Sequence, residues 1–192
     1  MQQLFQELVD EVRRFDPDAV KSLRPGLPPD VLKQRFATLP YEVTPDAISL
    51  YALADCADWS FKMPFEMLPG GYFIPFDNAV AEFEEIHGMR DELEQVWPER
   101  YRDCFRFLTD KSDGGYAFGR IDSPSRGQIV SLETHEPWLL AFRDLEHLLR
   151  TSIECYRQGI MRADSGVPDF DAYFKLAARM NPGMEAWTAH ET

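Results

Sequence analysis

Segments with strand character are grouped in the middle of this chain, while both ends carry apolar residues at helical spacing. Short apolar runs between Cys104 and Leu132 are separated by turn sequences rich in glycine, proline and serine, which is typical of an antiparallel meander. The stretch up to Phe15 and the stretch after Phe142 instead repeat apolar side chains every three or four positions. Strands that are grouped apart from helices predict an α+β fold: a single domain with a central antiparallel sheet and helices packed before and after it.

Proline and capping residues indicate where the early helices begin and end. Asp16-Pro17 ends the first helix, because the residue before a proline is pushed out of the α region. Another helix is expected to start near Asp30, after a turn rich in proline. Thr44-Pro45 predicts an N-cap followed by proline at the first helical position.

The later part of the chain carries similar boundary signals. Tyr72 to Pro75 predicts a short strand, and Asp77 is expected to cap a helix that continues past Gly88. Gly159 should end the helix that begins near Phe142 by adopting the left-handed conformation. A final helix is expected to start at Asp169 and to be followed by a fraying tail.

Charge and composition limit the classes of function. The 192 residues include 33 Asp and Glu against 20 Lys and Arg, which gives a net charge of −13, and 44% of the residues are hydrophobic. The hydrophobic share predicts a folded protein of one domain. The negative charge argues against nucleic acid and anionic membranes as partners, since both are bound through Lys and Arg. The sequence contains no apolar stretch near the roughly 20 residues of a membrane-spanning helix.

The cysteines and the N-terminal sequence bear on the redox state and the location of the protein. Cys56, Cys104 and Cys155 are odd in number and far apart, so neither a disulfide framework nor a zinc site is predicted, and we expect reduced, mostly buried thiols. The N-terminal sequence from Met1 to Phe15 mixes acids with arginines and lacks the apolar run of a signal peptide. We therefore expect a cytoplasmic protein.

No motif predicts a catalytic residue or a cofactor. A Gly-x-Ser-x-Gly nucleophile sequence is absent, and the glycine pairs lie in turns. Two alternatives remain. One of the three cysteines could meet His135 or His147 as a nucleophile and its base, although buried structural thiols explain the cysteines without such a role. The other is a metal-dependent enzyme, because two Glu-x-x-His or Asp-x-x-His spacings place oxygen and nitrogen ligands on one face of a helix. Its ligands would be Glu84, His87, Asp144 and His147. A solvent-exposed helix face explains the same residues without a metal.

Acidic residues interleaved with aromatic ones predict an interaction surface. Acids increase the encounter rate with a basic partner, and aromatic side chains provide desolvated anchors at interfaces. The alternative is that the aromatic residues belong to the core and the acids only keep the protein in solution. The predicted partner-binding residues are Asp55, Asp58, Trp59, Asp110, Asp113 and Tyr116.

Several short motifs of turn and packing residues lie between Pro25 and Gly159. They are Leu27-Pro28-Pro29 and Leu39-Pro40, each near a predicted helix, Gly71 to Phe76, Phe105 to Asp110, Gly114 to Phe118, Gly127 to Val130 and Phe142 to Leu149. Together with the order of elements, these motifs resemble the SUKH superfamily over most of the chain from Pro25 to Gly159. Where members commonly have Asn-Gly after the second helix, this chain has Ala54-Asp55-Cys56-Ala57.

The resemblance implies a function as well as a fold. The resemblance is to the branch of the superfamily that is related to fungal cell-wall-assembly regulators. It implies that the bacterial members of this branch are immunity proteins that neutralise polymorphic toxins, frequently nucleases. We therefore expect a non-enzymatic immunity or adaptor protein that blocks a basic toxin domain, or alternatively a regulatory scaffold. The corresponding organisation is an N-terminal helix extension at 1–24, a SUKH-like domain at 25–160 and a C-terminal helix and tail at 161–192.

Overall fold

The computed structural model describes residues 1–40, 42–56, 65–88, 104–110, 114–119, 127–132, 139–161 and 167–190, and confirms the α+β class in a single domain. Its α-helices are α1 (Gln2–Phe15), α2 (Pro29–Phe36), α3 (Pro45–Leu53), α4 (Phe76–Gly88), α5 (Leu145–Arg157) and α6 (Phe170–Met180), with 3₁₀-helices at Ala19–Ser22 and Glu185–His190. Its strands are β1 (Leu23–Pro25), β2 (Ala54–Cys56), β3 (Glu66–Leu68), β4 (Gly71–Phe73), β5 (Cys104–Thr109), β6 (Gly115–Gly119), β7 (Ile129–Leu132) and β8 (Leu139–Phe142).

Strands β3 to β8 form a six-stranded antiparallel sheet in which each strand pairs with its neighbour in the sequence. This arrangement confirms the predicted meander. The helix expected from Phe142 onward is confirmed, but its start differs, because Leu139–Phe142 pairs with β7 as strand β8. The helix begins three residues later, where the Asp144 side chain accepts a hydrogen bond from the main-chain N–H of His147 at 2.9 Å.

A second, two-stranded sheet joins an early segment to the middle of the chain. Leu23 pairs with Cys56 and Pro25 pairs with Ala54 in an antiparallel arrangement. The turn after β1 is packed closely, because a Cβ on Gly26 would overlap the main-chain oxygen of Ala52. Strand β2 and its pairing with β1 were not predicted from the sequence.

One hydrophobic core includes residues from both termini. Leu8 of α1 and Tyr173 of α6 are buried in the same cluster as Phe105 of the central sheet. Helix α5 connects the layers, because it packs against α1, α6 and the edge strands β3 and β8. The segments predicted as terminal additions therefore share the core of the central domain.

The predicted helix boundaries are largely confirmed. Thr44 caps α3 by accepting a hydrogen bond from Ala47 N–H at 3.3 Å, and Asp169 caps α6 in the same way through Ala172 N–H at 3.0 Å. Gly159 has φ of +73°, and Ile160 N–H donates to the Cys155 carbonyl at 2.9 Å, which forms a Schellman C-cap on α5.

Three further predictions, two about α4 and one about the C-terminal tail, were wrong or concern residues that the structure does not describe. Asp77 lies in the first turn of α4 rather than before it. The expected continuation of that helix past Gly88 falls on residues that the structure does not describe. The fraying tail was also wrong, because Glu185–His190 forms a 3₁₀-helix with Trp187 only 3% exposed.

The expectation of mostly buried thiols is confirmed, because Cys56 and Cys155 are buried and Cys104 is half-buried. Among the described residues, none of the helices has both the length and the apolar character required to span a bilayer.

We expect the free energy of unfolding to fall as the pH rises above about 9. Burial raises the pKa of Cys155 to about 12, and burial likewise raises the pKa values of Tyr51 and Tyr173 well above their usual range. In the unfolded chain these groups ionise near pH 9 to 10. Their protonated forms therefore stabilise the folded state fully below pH 9, and this stabilisation is lost as the pH rises toward the folded-state values.

The free energy of unfolding should fall by about 1.4 kcal/mol per pH unit for each group that holds its proton only in the folded state. Urea unfolding at pH 8, 9, 10 and 11 measures it. Tyr51→Phe should make the slope shallower, although it removes the hydrogen bond from the Tyr51 hydroxyl to the Ile74 carbonyl. An unfolding free energy that stays constant from pH 8 to 11 would contradict this explanation.

Candidate protein-interaction site

An open cleft with a volume of about 430 Å³ lies between α4 and the end of β5. Three of its lining residues, Asp77, Glu82 and Glu85, are acidic and belong to α4, where residues three and four apart lie on one face. Ile74, Asn78 and Thr109 contribute the neighbouring apolar and hydrogen-bonding surface. We call this feature the α4 cleft.

The acids of the α4 cleft differ in their partners. Asp77 Oδ1 lies 3.1 Å from Arg35 Nη2, and Glu82 Oε1 lies 2.6 Å from Arg106 Nη2. Glu85 is exposed and has no ion pair with any of the described residues, and the same holds for the adjacent Glu84. Counting only residues that the structure describes, the three lining acids therefore carry more negative charge than the two arginines compensate.

The start of α4 is held by a residue that the sequence analysis assigned to partner binding. Asp55 Oδ1 accepts hydrogen bonds from Phe76 N–H and Cys56 N–H, both at 2.9 Å. A carboxylate at this end of a helix is stabilising, because the first main-chain N–H groups lack partners within the helix. Asp55 is half-buried and links β2 to the helix that forms one wall of the α4 cleft.

Asp110 directly follows the cleft residue Thr109 in the sequence. Its Oδ1 accepts a hydrogen bond from Gly114 N–H at 2.9 Å, and its main-chain N–H donates to the Gly114 carbonyl at 3.1 Å. These bonds close the connection between β5 and β6. Asp110 is half-buried, so its carboxylate both shapes the connection and adds negative charge beside the cleft.

Tyr116 lies apart from the residues that line the α4 cleft. Its hydroxyl is 2.8 Å from the hydroxyl of Tyr173, and its ring centroid is 5.7 Å from that of Phe142. The half-buried Tyr116 side chain thus packs toward α6. The other predicted partner-binding residues, Asp58, Trp59 and Asp113, lie outside the described residues.

The acids that line the cleft were not predicted to be partner-binding residues. Glu85 is exposed and Glu82 is half-buried, which are ordinary positions for acidic residues on an amphipathic helix. The available signal was the spacing of four residues from Asp77 to Ala81 to Glu85, which lines one face of α4. The wall supplied by Thr109 depends on the tertiary fold, so this spacing alone could not identify a cleft.

Three of the four residues considered as metal ligands make other contacts. Asp144 Oδ1 lies 2.6 Å from His147 Nδ1 and also accepts the main-chain hydrogen bond that caps α5. The His87 ring stacks on Phe83, with ring centroids 5.8 Å apart. Across the part of the chain that the structure describes, no three His, Cys, Asp or Glu side chains are grouped so that they could hold a metal ion. The proposed set of four ligands, which includes Glu84, is thus not assembled.

Comparison with known proteins does not identify a relative. No family model matches the sequence, and no curated protein matches it. The resemblance to the SUKH superfamily stays a prediction based on the turn and packing motifs. The function is therefore inferred from the charge, the contacts and the α4 cleft.

Proposed function

We propose that this protein is a non-enzymatic immunity or adaptor protein that binds a basic protein domain and blocks that domain's substrate-binding face. The α4 cleft carries this proposal, because the described arginines pair with only two of its three lining acids. The partner that fits best is the basic toxin domain of a polymorphic toxin, with nucleases as the first candidates. The site of action would be the cytoplasm, where the three cysteines would stay reduced.

Electrostatic attraction would bring the two proteins together. The net charge of −13 creates a field that raises the rate of encounter with a positively charged domain. A nuclease must bind a phosphate backbone through Lys and Arg, so its substrate-binding face is basic. The negative field of this protein would therefore attract the same basic surface that the toxin uses to bind its substrate.

Local recognition would take place at the α4 cleft. An incoming Lys or Arg side chain could form an ion pair with Glu85, while Asn78 and Thr109 offer hydrogen-bonding groups in the same cleft. The Arg35 and Arg106 ion pairs hold Asp77 and Glu82 in place, and this reduces the side-chain entropy lost on binding.

The first test is a growth assay with the neighbouring reading frame. We expect that frame to encode a protein whose isolated basic C-terminal domain is toxic when expressed, and we expect growth to be restored by co-expression of this chain. Failure to restore growth would overturn the immunity proposal. Restored growth together with turnover of the toxin's substrate in a purified mixture would overturn occlusion as its mechanism.

A charge reversal in the α4 cleft tests the proposed surface. Glu85→Lys should slow association with the purified toxin domain by about tenfold at low salt, and it should make the salt dependence of the rate shallower. The matched control is Glu42→Lys, which changes an exposed acid outside the cleft lining by the same charge. Stopped-flow association rates at several salt concentrations measure both effects. Equal rates for the two variants would remove the α4 cleft from the interface while leaving immunity itself intact.

A further inference from the structure

Strand β8 is an edge strand without the usual sequence protection. It is the last strand in the order β3 to β8, so one of its sides has no neighbouring strand among the residues that the structure describes. Edge strands can pair with other chains unless charges, prolines or a covering segment prevent it. The four residues Leu139–Phe142 include neither a charged residue nor a proline. Protection must therefore come from another part of the chain.

The 3₁₀-helix Glu185–His190, which we call the C-terminal cap, packs against β8. The Trp187 indole Nε1–H donates a hydrogen bond to the Ala141 carbonyl at 2.6 Å. Leu140 N–H donates to Glu185 Oε2 at 3.3 Å. Side chains of the cap thus occupy one main-chain acceptor and one main-chain donor of the edge strand.

Aromatic contacts anchor the cap. The Trp187 ring centroid lies 5.6 Å from that of Phe142 and 5.7 Å from that of Tyr173. The His190 ring stacks on Phe174 at 4.8 Å. The cap is therefore held by side chains of both β8 and α6, and its position over the edge follows from specific packing.

We propose that the C-terminal cap prevents β8 from pairing with β8 of a second copy of this chain. Antiparallel pairing of two β8 strands would be an isologous contact, because the same residues would face each other in both copies. Each copy carries a net charge of −13, so repulsion would oppose the pairing and salt would favour it. The inference does not depend on the proposed function.

Removal of residues 182–192 tests the proposal. We expect the shortened chain to shift from one copy to two in sedimentation velocity, with the shift increasing between 50 mM and 500 mM salt. Full-length protein should stay at one copy under the same conditions. A shortened chain that keeps native circular dichroism and remains at one copy would overturn the proposal.

Point variants keep the test decisive if the shortened chain does not fold. Trp187→Ala in the full-length protein should also associate, whereas Ala189→Ser, on the exposed part of the cap, should not. Leu139→Lys added to either associating variant should restore one copy, because a charge on the edge strand opposes strand pairing. Association that persists after Leu139→Lys is added would show that the copies do not meet through β8. A folded Trp187→Ala variant that stays at one copy would show that the C-terminal cap does not prevent association. Either result overturns the proposal.

Discussion

Phe105→Ala is expected to reduce the free energy of unfolding by about 3–5 kcal/mol. Phe105 is fully buried, at 0% exposure, in the second position of β5. Its ring centroid lies 5.0 Å from that of Phe36, 6.1 Å from that of Tyr51 and 6.3 Å from that of Phe76. Truncation would remove the packing between the sheet and helices α2, α3 and α4 and leave a cavity that these elements cannot all move to fill. Urea unfolding at pH 7 measures the change.

The matched control is Phe170→Ala, which deletes the same atoms from a side chain that is 42% exposed. Substitutions at such surface positions usually change stability by much less than a core truncation. Because a typical domain is stable by only about 5–15 kcal/mol, the core variant should unfold at a clearly lower urea concentration than the control. Similar losses for both variants would mean that Phe105 is not a central packing residue.

Local sequence signals predicted the elements that depend on local physics. The Thr44-Pro45 and Asp169 caps act within one turn of their helices, so the residues that form them are close in the sequence. Gly159 ends α5 for the same local reason, since glycine adopts positive φ at little cost. The meander was predictable because turns with glycine and proline separate consecutive strands that pair with each other.

Elements that depend on distant partners were not predictable. Leu139–Phe142 is a short apolar run, and hydrophobic periodicity cannot distinguish a strand from a helix over so few residues. It is a strand because β7 pairs with it and the C-terminal cap covers it. The segment with Trp187 was predicted to be a fraying tail because its partner is also distant: the indole donates to the Ala141 carbonyl, 46 positions away in the sequence.

The candidate site was only partly predictable, because a carboxylate can have more than one role. Asp55 and Asp110 were selected for their negative charge, yet each accepts hydrogen bonds from main-chain N–H groups that fix a helix start or a strand connection. Asp46 acts similarly across the fold, since its Oδ2 accepts a hydrogen bond from Leu145 N–H at 2.8 Å. The sequence cannot separate these structural carboxylates from one such as Glu85, which has no ion pair within the described part of the chain. Counting acids therefore overstates the charge available to a partner.

Gly115→Ala is expected to destabilise the protein by about 2–6 kcal/mol, from about 1–3 kcal/mol of backbone strain and a similar cost of overpacking. Gly115 begins β6 with φ of +142°, a conformation that residues with a Cβ rarely adopt. A Cβ at this position would overlap the Leu108 carbonyl oxygen and lie 2.9 Å from Thr109 Cα. Both contacts are with main-chain atoms of the paired strand β5, so a side-chain rotation cannot relieve them.

The same substitution should also disturb one wall of the α4 cleft, because Gly115 pairs with the cleft residue Thr109. Amide hydrogen exchange should show faster exchange at Gly114 N–H, which donates to Asp110 Oδ1. Gly159→Ala is the control: Gly159 also has positive φ, of +73°, but a Cβ there would meet no atom within 4 Å. Gly159→Ala should therefore lower the free energy of unfolding by only about 1 kcal/mol, which is the cost of backbone strain alone. Equal losses in the two variants would show that the close approach of β5 does not require glycine at position 115.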